Sequence, residues 1–361
     1  MSGAMRKAIC LIAGCIILLS TVACARDRKD RKNYIIGFYN LENLFDTTHD
    51  EGKNDKDFTP EGRNAWTQDK YEKKLHNMAV AIAAMAKDNG AFHTALGIAE
   101  VENSHAIKDL LAQPELAPAG YRFVHYESPD SRGIDVALLY RPDKMKVIDS
   151  EPIKYDFNSS TIKFEYTPQE QAAFRTRHIL MVHGLVAGED VAIYVCHLPS
   201  RLGDKGQDLR ARGAEIIYDH AMGMMQKYPG IKIIVMGDMN DNPTDESMTE
   251  YLHGREHIAE VGPEDFFSPF MSMFKAGYGT LSYRGVWNIF DCILVNEALV
   301  NAKRGLRIVP ATGEYYGRVY NADFLTNQSG RYKGTPFRTF SGGEFIDGYS
   351  DHYPTFIILK R

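Results

Sequence analysis

Cysteine is scarce in this chain and poorly placed to build a scaffold. Of five cysteines in 361 residues, Cys10, Cys15 and Cys24 fall near the amino terminus. Cys196 and Cys292 each sit inside an apolar run, so one disulfide at most is available. Two buried free thiols are the expectation. A disulfide framework and a cysteine-rich zinc site are therefore excluded. Long apolar runs are lacking too: the stretch from Ala8 to Leu19 falls short of the ~20 residues a membrane-spanning helix needs. Nor is positive charge in excess. Lys and Arg number 42 against 47 Asp and Glu, a formal charge of −5, which argues against indiscriminate binding to polyanions. No internal repeat or low-complexity linker divides the chain, and a single large domain is expected.

The amino-terminal stretch reads as targeting sequence. Arg6 and Lys7 precede the apolar run, and small residues close it at Ala23-Cys24-Ala25, giving the n-region, h-region and cleavage zone of a signal over residues 1–25. Ala23-x-Ala25 suits ordinary signal peptidase. Thr21-Val22-Ala23-Cys24 is a loose lipoprotein box, and the charged stretch Arg26–Lys32 would serve as a tether over residues 26–33. A lipid anchor at Cys24 and an exported location (periplasm or outer membrane) are expected, with plain secretion as the alternative. Removing residues 1–25 leaves a net charge of −7, since only Arg6 and Lys7 are lost. No obligate protein partner is evident.

Along residues 34–361, apolar strands alternate with helical stretches. Tyr34–Asn40 reads as a strand with Tyr34, Ile36, Phe38 and Asn40 on one face. A polar loop from Asp46 to Trp66 carries six acids against three bases. Thr67 is placed to cap a helix with Tyr71, Leu75, Met78, Ile82 and Met85 at helical spacing. Strands are expected at Ala95–Glu100, Ile134–Tyr140, Val191–His197, Ile231–Asp238 and Ile289–Val295, and the last one follows Pro354. A helix is expected through Leu209–Met224, ended by Pro229-Gly230. Residues 143–174 give no clear pattern. Alternation of this kind indicates α/β or α+β layers.

Strands repeatedly deliver a polar group at or near an end: Asn40, Glu100, His197, and Asp238 with Asn240. Asp291 lies on a further strand, and Asp351-His352 form the turn that opens the last. A surface turn with incidental charges would explain the final pair alone. The full set is harder to dismiss, because each buried polar group left unpaired costs on the order of 1–3 kcal/mol. One shared site at one end of the sheets satisfies them all.

The segments Tyr39-Asn40-Leu41-Glu42, Ile98-Ala99-Glu100, Cys196-His197-Leu198-Pro199-Ser200, Gly237-Asp238-Met239-Asn240, Phe290-Asp291 and Ser350-Asp351-His352 occur in one order. That order resembles the endonuclease/exonuclease/phosphatase superfamily, which includes secreted deoxyribonucleases, sphingomyelinases and inositol-polyphosphate phosphatases. The resemblance spans roughly Tyr34 to Leu359. It implies a four-layer α-β-β-α sandwich of two mixed β-sheets. It also implies Mg²⁺, with Mn²⁺ as the alternative, held mainly by Glu100 and assisted by Asn40 and Glu42, with Asp351 beside it. Oxygen donors of this type suit a hard cation. Asp238 and Asn240 would orient water and phosphate, and Asp238 could hold a second cation. His352, fixed by Asp291, would act as general base, although Asp238 competes for that role. His197 would donate to a phosphate oxygen.

The expected activity is hydrolysis of a phosphate ester, foremost as a phosphodiesterase or nuclease. The alternatives are a phosphatase on inositol or sugar phosphates and a catalytically idle binding module. Histidine at position 197 matches the deoxyribonuclease and lipid-phosphatase branches and departs from the tyrosine of abasic-site endonucleases. Arg201 and Lys205 lie just past it, within reach of phosphate. Within 310–345, Arg318, Arg331, Lys333 and Arg338 interleave with Tyr315, Tyr316, Tyr320, Tyr332, Phe337 and Phe340. Such a pattern can bind a nucleic-acid strand or simply pack as a lid.

Overall fold

Period-two runs of β-branched and aromatic residues become the strands of two sheets in a computed structural model that describes residues 33–201 and 206–361. The signal, residues 26–32 of the tether, Cys24 and Lys205 lie outside the described residues, and Asn33 already belongs to β1. The first half comprises β1 (Asn33–Leu44), α1 (Gln68–Asn89), β2 (Ala95–Val101), α2 (Ser104–Ala112), β3 (Arg122–His125), β4 (Asp135–Tyr140), β5 (Met145–Ile153) and α3 (Pro168–Ala173). Then come β6 (Ile179–Val186), β7 (Glu189–His197), α4 (Gly206–Lys227), β8 (Lys232–Asp238), β9 (Gly254–Arg255), β10 (Phe266–Phe267) and α5 (Pro269–Lys275). The chain closes with β11 (Leu281–Tyr283), β12 (Val286–Asn288), β13 (Asp291–Asn296), α6 (Glu297–Val300), β14 (Arg307–Val309), β15 (Gly317–Val319), β16 (Phe340–Ser341), β17 (Glu344–Phe345) and β18 (Thr355–Lys360).

Seven strands form one sheet in the order β14-β18-β1-β2-β4-β3, with β15 also on β18; seven more form the other, β5-β6-β7-β8-β13-β10-β9. Both are mixed: β1 runs parallel to β2 and antiparallel to β18, while β7 runs parallel to β8 and antiparallel to β6. The sheets pack face to face, and Gly97 marks how tightly. A Cβ there would come within 2.6 Å of Met236 Sδ and 3.1 Å of Val195 on the opposing sheet. Ile36 and Phe38 on β1 share the inward face with Asn40, as the period of two requires. Helix α4 covers the outer face of the second sheet, where the Tyr194 hydroxyl meets His220 Nδ1 at 2.8 Å. Helix α1 lies against β1 and buries Leu75, Met78, Ile82 and Met85. This is the four-layer sandwich expected from the sequence.

Three local differences matter. Strand β1 runs on past Asn40 to Leu44 through an irregularity in its pairing with β2, with Glu42 and Asn43 at φ values of 49° and 57°. Thr67 sits at the N-cap of α1 in extended conformation but makes no side-chain cap bond. The unpatterned stretch 143–174 holds β5 and the short α3, the latter opened by a Thr167–Glu170 capping box. Cys196 and Cys292 are buried free thiols, as expected. No helix among the described residues is long and apolar enough to cross a membrane.

Candidate active site

Register brings the polar groups together. Asp238 closes β8 directly opposite His197 on β7 and Asp291 on β13, so three adjacent strands of one sheet present one row. The other sheet contributes Asn40 and, across the gap, Glu100. Asn40 Nδ2 donates to Asp238 Oδ2 at 3.0 Å, a bond that joins the two sheets at this mouth. His197 Nε2 lies 3.6 Å from Asp238 Oδ2 and 3.8 Å from Glu100 Oε1. His352 Nε2 lies 3.9 Å from the same Asp238 oxygen. Asp238 is thus the hub through which Glu100 and His352 reach one space.

Backbone geometry gathers its exceptions here. Glu42, Glu100 and Asn240 all have left-handed φ, at 49°, 60° and 51°. Non-glycine residues in that region carry of order 1–3 kcal/mol of strain, which the surrounding fold must offset. Glu100 Oε2 accepts the Asn43 N–H at 3.0 Å, so the unusual turn after Asn40 helps aim the carboxylate. The Asn240 N–H donates to Asp238 Oδ1 at 3.0 Å, and its amide donates to Leu198 O at 3.0 Å.

The final turn is held from several sides. His352 Nδ1 bonds both Asp291 oxygens, at 3.0 and 2.8 Å, with Asp291 fully buried. Ser350 Oγ donates to Asn40 O at 2.7 Å and accepts the His352 N–H at 3.1 Å. The β11–β12 hairpin supports the same turn: Trp287 stacks on Tyr353, Thr280 O accepts the Tyr353 N–H, and Thr280 Oγ1 accepts the Phe290 N–H. That gives Gly279–Trp287 a role its sequence did not reveal.

Charge states differ sharply between the two histidines. Burial alone would lower His352, but Asp291, Asp238 and Asp351 outweigh it and hold the ring well above the ordinary histidine range. Its Nδ1–H is spent on Asp291, which leaves an Nε2–H facing the pocket. His197 is driven well below that range, first by burial and then by Arg177, Arg132 and His352, so it is neutral. Asp238 is pushed up to about 6, chiefly by burial.

The expected metal ligands divide. Glu100, Asp238 and Asp351 present oxygen donors around the mouth, as does Asn40, whose Oδ1 also accepts the Glu42 N–H at 2.9 Å; no thiol does, and the set suits a hard divalent cation. Glu42 does not join them. Its Oε1 is taken by Arg338, at 3.0 Å to Nε and 2.9 Å to Nη2, and its Oε2 accepts the Thr339 N–H at 2.7 Å. Burial, reinforced by Asp351, raises this carboxyl to about 7. Glu42 therefore anchors the segment before the final turn, and the expectation of a metal ligand there gives way. The reason is the bend after Asn40, which turns Glu42 toward Arg338. Asp351 also pairs with Arg338, at 3.1 Å.

Several expected phosphate contacts are otherwise engaged. Arg201 bonds Asn240 O and Asp241, pairs with Asp245 and lies over the Phe290 ring. Arg318 lies over Tyr320 and Phe356, and Arg331 over Tyr332. Phe340 and Phe345 pack with Trp66. Part of the interleaved segment packs as a cover, while Arg331, Tyr332 and Lys333 are exposed; among its cations Arg338 is the one tied to the mouth. Sequence reasoning missed Arg177, which is buried and bonds His197 O at 3.1 Å, Leu198 O at 2.8 Å and Asp130 at 3.0 Å. No periodicity marks such a residue; its distance from His197 along the chain hides it.

Comparison with known proteins assigns the family. Residues 35–361 match the model of the Endonuclease/Exonuclease/phosphatase family. Among solved structures, an endonuclease/exonuclease/phosphatase family protein from Bacteroides thetaiotaomicron is 16% identical with a TM-score of 0.53, covering 91% of this chain and 97% of its own. A mannosyl-6-phosphatase of the same bacterium gives 16% identity and 0.53, over 91% and 100%. D. rerio TDP2 complexed with single-strand DNA product gives 12% and 0.52, over 91% and 99%. No curated protein matches the sequence. With nearly the whole described chain matched, this protein belongs to the endonuclease/exonuclease/phosphatase family.

Proposed function

We propose that the chain hydrolyses a phosphate ester by direct attack of water, assisted by Mg²⁺ or Mn²⁺. The observation that carries this reading is the unbroken run of close polar contacts from Glu100 through His197 and Asp238 to His352 and Asp291. A divalent cation held by Glu100 and Asn40, with Asp238 or Asp351 adjacent, would neutralise charge on the phosphoryl oxygens. His352, charged and braced by Asp291, donates its Nε2–H to a phosphoryl oxygen as negative charge builds. Neutral His197 donates to a second oxygen. Water attacks phosphorus, the bond to the leaving oxygen breaks, the proton from water passes to the Asp238 carboxylate, and the leaving oxygen departs as an anion that takes its proton from solvent. The charged state of His352 favours Asp238 over His352 as proton acceptor.

Two substrate classes remain in play. The family resemblance favours a phosphodiester, foremost a nucleic acid. The engagement of Arg201, Arg318 and Arg338 with neighbouring rings and carboxylates favours a compact ester such as a sugar or inositol phosphate, since a free row of cations is what a polynucleotide track requires. Side-by-side assays on plasmid DNA, RNA, sphingomyelin, inositol phosphates and mannose 6-phosphate separate them. Hydrolysis of none of these, nor of bis-nitrophenyl phosphate, would leave only a binding module. We also propose export, with a lipid on Cys24. Mass spectrometry of the mature amino terminus tests this: an unmodified residue after Ala25 would contradict it.

A further inference from the structure

A second group of carboxylates lies beside the mouth and takes no part in the chemistry above. One oxygen from each of Asp50, Asp55 and Glu102 falls within 4.8 Å of the others. Asp50 and Asp55 come from the acidic loop after β1, and Glu102 from the turn after β2. Asp55 and Glu102 are only 1% and 2% exposed. The loop wraps these groups with its own backbone. Glu102 Oε2 accepts the Asp46 N–H at 2.7 Å, and Asp55 Oδ2 accepts the Asp50 N–H at 2.7 Å. Asp55 Oδ1 meets His49 Nδ1.

One atom is left over. Glu102 Oε1 is buried with no hydrogen-bond partner. Among the described residues, none of the three carboxylates pairs with a lysine or arginine; their one basic neighbour is His49. Lys53, on the same loop, spends its ammonium on Ser128 O and Asp130 O. A buried carboxylate with an orphaned oxygen is costly unless something cationic completes it. Three carboxylates converging from a loop and a strand end make an all-oxygen, flexible cage of the kind calcium takes, whereas magnesium demands stricter geometry and keeps its waters.

We propose that Asp50, Asp55 and Glu102 bind a calcium ion that pins the acidic loop to the β2–α2 turn. The ion sits apart from the hydrolytic centre and its role is structural. It joins residues 50–55 to the turn that follows Glu100, where Asn103 caps α2 by accepting from the His105 and Ala106 N–H groups. The proposal stands whatever the substrate.

Calorimetric titration of Ca²⁺ into chelator-treated Glu100→Gln protein tests it, because that variant cripples the hydrolytic centre as a competing site. One calcium per chain is expected. Adding Glu102→Gln, which keeps an acceptor for the Asp46 N–H, should weaken binding by at least ~10-fold. Asp50→Asn, on an exposed side chain where folding is not at risk, should do likewise. Thermal unfolding should rise with Ca²⁺ in the Glu100→Gln protein and lose that response in both double variants. Absence of calcium binding in the Glu100→Gln protein, or unchanged binding in both double variants, would overturn the proposal and leave Glu102 a carboxyl kept neutral by burial.

Discussion

Two carboxylate clusters draw on residues two apart, Glu100 near the end of β2 and Glu102 in the turn after it, and they are built differently. At the mouth, Asp238 and Asp291 project from neighbouring strands in register, and each finds a partner in the protein: Asn40, the Asn240 N–H or His352. In the acidic loop, Asp50 and Asp55 come from irregular backbone and leave Glu102 Oε1 with no partner. Sheet register fixes a charged site to the precision chemistry needs, and its groups perturb one another. In the loop it is the orphaned oxygen that points to an ion. The comparison predicts that substitution at the mouth stops catalysis and that substitution in the loop loosens the fold.

The sharpest way to break that separation is at the mouth. His352→Ala should lower kcat by ~10²–10⁴-fold with folding unchanged by circular dichroism. A loss below ~10-fold would mean the charged dyad is only structural. Glu100→Ala should raise the Mg²⁺ concentration for half-maximal activity by more than ~10-fold. Glu42→Gln should move that concentration by less than ~3-fold, because its oxygens already serve Arg338 and Thr339. Equal effects in the two variants would restore Glu42 as a ligand.

The pH profile sharpens the assignment of roles. If Asp238 takes the proton, kcat/KM falls as pH drops through about 6, where that carboxyl becomes protonated. On the other side of that limb, His352, held up by Asp291, Asp238 and Asp351, sets the alkaline end of the profile. Were His352 the base, its raised range would instead delay full activity to alkaline pH. In Asp238→Asn the acid limb near 6 should vanish along with most of the rate.

Stability effects come next in size. Arg338→Ala leaves Glu42 buried beside Lys74 and the Thr339 N–H alone, and unfolding in urea should show a loss of ~1–3 kcal/mol. Glu102→Gln and Asp50→Asn should leave kcat within ~3-fold while changing the response to calcium. A large catalytic loss in these two would show that the clusters are one unit.

Much of this was legible in the sequence because alternation survives folding. Asn40, Glu100, His197 and Asp238 could be placed from the phase of their strands, and the mouth brings together Asn40, Glu100, His197, Asp238, Asn240, Asp291, Asp351 and His352. What resisted was non-periodic. The bend that turns Glu42 away depends on left-handed backbone at Glu42 and Asn43, which no side-chain pattern announces. Arg338 looked like a phosphate ligand because its carboxylate partners, Glu42 and Asp351, are far apart along the chain. Residues 143–174 escaped because β5 alternates weakly at a sheet edge and α3 is only six residues long.

The account rests on Glu100 and His352 serving one phosphate in one space. A double-mutant cycle on kcat/KM for bis-nitrophenyl phosphate, with Glu100→Ala, His352→Ala and the pair together, tests that directly. Groups that act as a unit are strongly non-additive, so the double variant should be no more than ~10-fold slower than the worse single one. Two losses that multiply in full would contradict the account, because they would place the two residues in independent sites.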